Sequence, residues 1–161
     1  MTAAEVRDRL TDFGALALTL FGEARGEPIE GIVAVGSVVR NRVERPRRYS
    51  STFRGVCVQP AQFSCWWLFG GETNYERVYG MARAFVEGRG MPLEGSSIDV
   101  WRECQFVAEG LIGGQVRDRV AGATHYYAPA GMQPMGAIPI WAEGLTPAAT
   151  IGRHLFFAGV K

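Results

Sequence analysis

The chain has 161 residues, the length of one ordinary domain, and such a domain buries roughly two-thirds of its unfolded surface without needing disulfides or a metal. Its 17 basic and 16 acidic residues leave a formal charge of +1, which argues against a dedicated nucleic-acid binder, and 47% hydrophobic with 20% charged residues excludes a chain disordered throughout. Glycine is the outlier, at 21 residues against a usual share of about 7%, and points to many tight turns.

The N-terminal stretch from Met1 to Asp8 alternates charge and lacks the apolar centre of a signal peptide, and no run approaches the roughly 18 apolar residues of a membrane span. Val6, Leu10, Phe13, Ala17 and Leu20 then recur at spacings of three and four, which predicts one amphipathic helix ending near Gly22 to Gly26. Pro28 biases Glu27 away from helical angles, so a turn follows. A second helix carries Ile32, Val35, Val38, Val39 and Val43 and closes at Pro46.

The cations are skewed: sixteen are Arg, and Lys161 is the only lysine. Arg40, Arg42, Arg45, Arg47, Arg48 and Arg54 crowd together opposed only by Glu44, a segment that reads either as a solvated helix end or as a contact surface for an anionic polymer. After a loop of aromatics and glycines, Tyr75, Val78, Ala82, Phe85 and Val86 predict a third helix ending at Gly88, and a fourth runs from about Ser97 to Ile112. Beyond Gly122, the stretch Ala123 to Ala128 is β-branched and aromatic and reads as a strand, with Ile151 to Phe157 as its partner. Pro129, Pro134, Pro139 and Pro147 mark the stretch between them as an ordered, functional loop. The predicted class is a single α+β domain over residues 1–161, mostly helical, with a small C-terminal antiparallel β-sheet and no separate binding module.

The sequence holds no GxSxG elbow, P-loop, dinucleotide fingerprint or HExxH helix. With only His125 and His154, a His-rich zinc site is hard to assemble, although two His with a carboxylate or thiolate stay open. Cys65 paired with His125 or His154 is a second open constellation. Cys57, Cys65 and Cys104 read as buried thiols, with a Cys57–Cys65 disulfide as the alternative.

Glu23 stands out because it follows the apolar run Leu16 to Gly22 at a helix C-terminus. Partial desolvation and the negative end of the helix dipole both favour a protonated carboxyl there, as a glycosidic general acid requires, unless Arg25 pairs with it. Glu27 and Glu30 read as first-turn residues of the second helix. Gln59, Gln62, Phe63, Ser64, Trp66 and Trp67 form one aromatic and polar cluster, and Tyr126, Tyr127 and Trp141 another. Aromatic platforms beside amides and hydroxyls suit a saccharide groove; each ring taken singly is more often core, but their concentration in loops and at the strand favours the groove.

The run Ala17 to Glu27, with Gly22-Glu23-Ala24-Arg25-Gly26-Glu27 at its end, and the following Ile32 to Val43 resemble the opening of the SleB/CwlJ-type cell-wall hydrolases. Val58 to Trp66, Gly122 to Ala128 and Ile151 to Phe157 match later segments in order, so the likeness reaches from about residue 14 to 158. The resemblance implies a lysozyme-like catalytic domain acting on peptidoglycan glycan strands, with Glu23 as catalytic acid/base. It leaves Gln62, Phe63, Ser64, Trp66, His125, Tyr126, Tyr127, Trp141 and His154 as candidate substrate contacts, with Gly22 and Gly26 letting the polysaccharide approach the backbone.

No convincing second carboxylate accompanies Glu23, which favours lytic transglycosylation between N-acetylmuramic acid and N-acetylglucosamine over hydrolysis. No cofactor and no metal are expected. An N-acetylmuramoyl-L-alanine amidase using His125 or His154, and a non-catalytic peptidoglycan-binding component, are the alternatives. With no visible signal peptide, a cytoplasmic monomer released to the cell wall by a partner holin, as for a phage-type endolysin, is the expected setting.

Overall fold

The computed structural model describes residues 1–68 and 72–161; Phe69, Gly70 and Gly71, part of the predicted aromatic and glycine loop, lie outside the described residues. Six helices come first: α1 (Ala3–Arg9), α2 (Asp12–Ala24), α3 (Ile29–Val43), α4 (Phe53–Cys57), α5 (Glu72–Val86) and α6 (Ser96–Ile112). Three short strands follow: β1 (His125–Tyr127), β2 (Ala149–Ile151) and β3 (His154–Phe157). The expected mostly helical α+β domain with a small antiparallel sheet is what forms.

The predicted first helix is two. Leu10 and Thr11 are extended, and the Thr11 hydroxyl accepts from the Gly14 N–H at 3.0 Å, capping α2 afresh. The three-four spacing crosses this break because Val6 and Leu10 reach the same core as α2. Nor is α2 amphipathic: Gly14 to Phe21 are all buried, as expected for a helix surrounded on every side. It packs against α3, α4, α5 and α6 and forms the axis of the fold. Helices α3, α5 and α6 end within three residues of their expected stops, whereas α4 and a 3-10 turn at Ser64–Trp66 lie inside what reads from sequence as loop.

The strand order is β1-β3-β2, antiparallel throughout, with Tyr126 opposite Phe156 and Ile151 opposite His154. The stretch Ile151 to Phe157 is therefore not one strand but a hairpin, turning at Gly152 and Arg153, and Gly152 has the positive φ of 58° that such tight turns need. Alternation along β1 splits its aromatics: Tyr126 faces the main core, while Tyr127 joins Trp141, Leu155, Phe157 and Val160 in a second, smaller cluster. Trp141 arrives from the long loop on a 3-10 turn, Ile140–Ala142. Among the described residues, no helix is long and apolar enough to cross a membrane.

Most arginines of the basic segment hydrogen-bond within the molecule, although only Arg42 is buried. Arg40 donates to the Val116 carbonyl, Arg45 to Gly122, Arg48 to Val160 and Arg54 to Asp8, while Arg42 is buried. These guanidinium groups fasten the end of α3 and the loop after it to the C-terminal third and to α1, while Arg45, Arg47 and Arg48 stay exposed at the surface.

Candidate active site

The last turn of α2 presents Glu23, and three donors converge on its carboxylate. The Cys65 N–H donates to Oε1 at 2.9 Å, the Ser64 hydroxyl to Oε1 at 3.2 Å, and the Tyr126 hydroxyl to Oε2 at 3.0 Å. Gly22 makes this possible: a Cβ there would lie 2.5 Å from the Cys65 Cβ, so only glycine lets the Ser64–Trp66 turn press against α2. Asn74 of α5 donates to the Gly22 carbonyl at 3.1 Å and accepts from Arg25. Arg25 is thus held away from Glu23 and does not pair with it.

Glu23, Arg42, Ala61, Gln62, Ser64, His125, Tyr126 and Trp141 line a pocket of about 340 Å³. Five of the residues expected as substrate contacts, Gln62, Ser64, His125, Tyr126 and Trp141, are thus brought together around Glu23. The His125 and Trp141 rings lie 5.0 Å apart, and the Thr124 hydroxyl meets His125 Nδ1 at 3.0 Å. Burial first, then the nearby Arg42 and Arg48, push the His125 imidazole down to about 4, so it is neutral at physiological pH. Burial, and then the Glu23 carboxylate, hold the Tyr126 phenol well above its ordinary range, which keeps it a donor.

Other expected contacts are placed elsewhere. Phe63 and Trp66 are 1% and 2% exposed and belong to the core; Trp66 anchors its turn by donating Nε1–H to the Thr19 hydroxyl at 2.8 Å. Tyr127 stacks on Phe157 on the opposite face of β1 from Tyr126. His154 lies behind Tyr126, its ring edge-on at 5.1 Å, with a buried Nδ1 that has no hydrogen-bond partner among the described residues. Gly22 and Gly26 do not open the backbone to a ligand either, since Cys65 covers one and the Arg153 side chain the other.

Cys65 is buried, a poor setting for a nucleophile. Burial, and next the adjacent Glu23, push its thiol well above the ordinary value, and neither histidine contacts it. Cys57 and Cys104 are raised to about 12, chiefly by burial, and all three cysteines are free thiols, with no Cys57–Cys65 disulfide. Among the described residues, no three His, Cys, Asp or Glu side chains converge as metal ligands would.

Glu27, four residues after Glu23, is sealed. Its side chain is 2% exposed, and the Arg153 Nε donates to Oε1 at 2.8 Å while the Arg153 backbone N–H donates to Oε2 at 3.2 Å. Burial works to raise this carboxyl, but the Arg153 hydrogen bonds outweigh it and hold Glu27 below the usual range. Its expected place in the first turn of α3 is corrected: Pro28 is the N-cap, Glu30 alone lies in that turn, and Glu27 ties the α2–α3 corner to the β2–β3 hairpin.

Arg42 is the pocket residue that sequence reasoning missed. The signal was there, because Val35, Val38 and Val39 define the buried face of α3 and Arg42 continues it at helical spacing.

A fold built on one buried helix thus places a pocket at that helix's end, with Glu23 its one lining carboxylate among the described residues. The cell wall hydrolase family model matches residues 26–157, and the chain belongs to that family. It is similar to the spore cortex-lytic enzyme of Bacillus subtilis (strain 168), with 42% identity over 53 residues, which is 33% of this chain and 17% of that protein. The same enzyme of Oceanobacillus iheyensis is 42% identical over 53 residues, 19% of its length, so the match spans less than a fifth of either curated relative. The catalytic domain of the Bacillus cereus SleB protein superposes with a TM-score of 0.57 at 25% identity, covering 90% of this chain and 88% of that one. The catalytic domain of the germination-specific lytic transglycosylase SleB of Bacillus anthracis shares the fold, with a TM-score of 0.56 at 24% identity, covering 90% and 92%. The family match begins just after Glu23, so the role of that residue rests on its geometry.

Proposed function

We propose that this cell wall hydrolase cleaves peptidoglycan glycan strands between N-acetylmuramic acid and N-acetylglucosamine as a lytic transglycosylase, with Glu23 as its single acid/base. The observation that carries this reading is that Glu23 is the only carboxylate lining the pocket among the described residues. Glu27 has both oxygens committed to Arg153, and Glu30 lines a different cavity. Hydrolytic glycosidases pair two carboxyl groups across the bond, about 5 Å apart in retaining enzymes and roughly 6.5–9.5 Å in inverting ones. A lytic enzyme needs only one.

In the first step the Glu23 carboxyl gives its proton to the glycosidic oxygen, the C1–O bond breaks, and the muramoyl acetamido oxygen attacks C1 to form an oxazolinium. In the second, the Glu23 carboxylate takes the proton of the C6 hydroxyl while O6 attacks C1, which releases the acetamido group and closes the 1,6-anhydro ring. Glu23 ends protonated, as it began. The Ser64 and Tyr126 hydroxyls suit this cycle because a hydroxyl can donate to the carboxylate and turn to accept from the acid, while the Cys65 N–H holds the group in place. Gln62, His125 and Trp141 supply amide, neutral imidazole and ring surface for the sugar.

Mass spectrometry of digested sacculi tests the proposal. Anhydromuramyl ends made by the wild type and absent with Glu23→Gln support it. Reducing muramic acid ends would indicate hydrolysis, free stem peptides with EDTA sensitivity an amidase, and bound but intact sacculi a non-catalytic component.

A further inference from the structure

Arg42 is 4% exposed, yet it lines the pocket that holds Glu23. Two contacts fix its plane: Nε donates to the Thr124 carbonyl at 2.7 Å, and Nη1 donates to the Gln62 side-chain oxygen at 3.1 Å. The rings of Tyr49 and Phe63 lie 5.3 and 5.2 Å from its guanidinium carbon. Among the described residues no carboxylate lies within ion-pair reach of it, in contrast to Arg54, Arg83, Arg89, Arg102 and Arg153. Arginine stays charged even when buried, and a buried charge without a counter-charge is costly unless something at the site uses it. Its remaining N–H groups have no protein acceptor among the described residues, and the cavity is beside them. The neutral His125 next to it adds no negative charge.

The two sugars of the strand share acetamido and hydroxyl groups, but only the muramoyl sugar carries a lactyl ether ending in a carboxyl carbon. We propose that Arg42 recognises the carboxyl oxygens of this lactyl group, and so determines which of the two alternating sugars sits beside Glu23. This rests on the glycan-cleaving reading above. The preferred partner is the free carboxylate, which matches the guanidinium fork in charge and shape; the amide carbonyl present when a stem peptide is attached is the weaker version of the same contact. Gln62, which accepts from Arg42, keeps its amide N–H groups for the neighbouring sugar hydroxyls.

The test is calorimetric binding to Glu23→Gln protein, which cannot turn over its ligands. Three soluble tetrasaccharides are compared: alternating N-acetylglucosamine and N-acetylmuramic acid with free lactyl carboxylates, the same strand bearing dipeptides, and chitotetraose. The free-carboxylate strand should bind about tenfold or more tighter than chitotetraose, with the dipeptide strand between them and the preference weakening with salt. Arg42→Met should erase the preference, so that the muramoyl strand and chitotetraose bind alike. Arg42→Lys, which keeps the charge and the fold if Met does not, should retain only part of it. Equal binding of the muramoyl strand and chitotetraose by the Arg42 protein, or a preference left undiminished in folded Arg42→Met or Arg42→Lys, overturns the proposal while the glycan reading stands. Release of stem peptides by the wild type, with no tetrasaccharide bound, overturns the glycan reading and this one with it.

Discussion

Two glutamates four residues apart do opposite work. Glu23 ends α2 facing a pocket, and its carboxylate meets one N–H and two hydroxyls, none of them charged. Glu27 sits past the turn, closed over by the β2–β3 hairpin and locked to a guanidinium. Neutral, reversible partners suit a group whose proton must come and go, and an ion pair suits one whose charge must stay. The same residue type is left open to a pocket in one setting and sealed as fastening in the other because the hairpin covers only the second.

The largest effect expected from breaking this contrast is on turnover. Glu23→Gln should lower lytic activity by about 10³-fold, within the usual range for removing an acid/base, and leave the melting temperature almost unchanged. Arg153→Met should do the reverse. It leaves Glu27 buried without its partner and should cost about 2–4 kcal/mol of stability in denaturant titration, with specific activity of the folded fraction largely kept. Glu27→Gln should cost less than Arg153→Met, because Arg153 is 67% exposed and regains water when its partner is gone.

Tyr126→Phe sharpens the contrast from the Glu23 side. It removes one reversible donor and should reduce kcat by about tenfold with a smaller change in KM, read from initial rates on soluble glycan.

The smallest effects are in the pH dependence of stability. His125 is held neutral in the fold, with a value near 4 against 6.5 when free, so its contribution is intact above about 6.5 and is lost as pH falls toward 4, where the unfolded chain takes the proton more readily. Because the site is half open, the loss should be about 1 kcal/mol, and His125→Gln should remove it from the pH profile of the melting temperature. Glu27, lowered from its ordinary 4.5, adds stability that is present above that value and is lost as pH falls through the lower one. Its removal should flatten only the most acid part of the curve.

Much of this contrast is legible in the chain itself. Helices α3, α5 and α6 follow from apolar spacing, and a carboxylate placed directly after a long apolar run singles out Glu23. The division of α1 from α2 was hidden because a capping threonine does not interrupt the hydrophobic period when both helices feed one core. Phe63 and Trp66 could not be sorted from Gln62 and Ser64 by composition, since the 3-10 turn that points two inward and two outward is set by packing against Gly22. Tyr126 and Tyr127 were separable only once the strand assigned them opposite faces. The sealing of Glu27 depends on a residue 126 positions away, which no local pattern reports. Arg42 was visible as a charge on a buried face, and its meaning came only with the pocket it lines.

The most direct measurement of the central claim is a digest of purified sacculi by wild type and by a folded Glu23→Gln protein, with the released fragments weighed by mass spectrometry. A single acid/base at Glu23 predicts 1,6-anhydromuramyl ends from the wild type and none above background from the variant. Reducing muramic acid ends from the wild type, or undiminished release by Glu23→Gln, would contradict it.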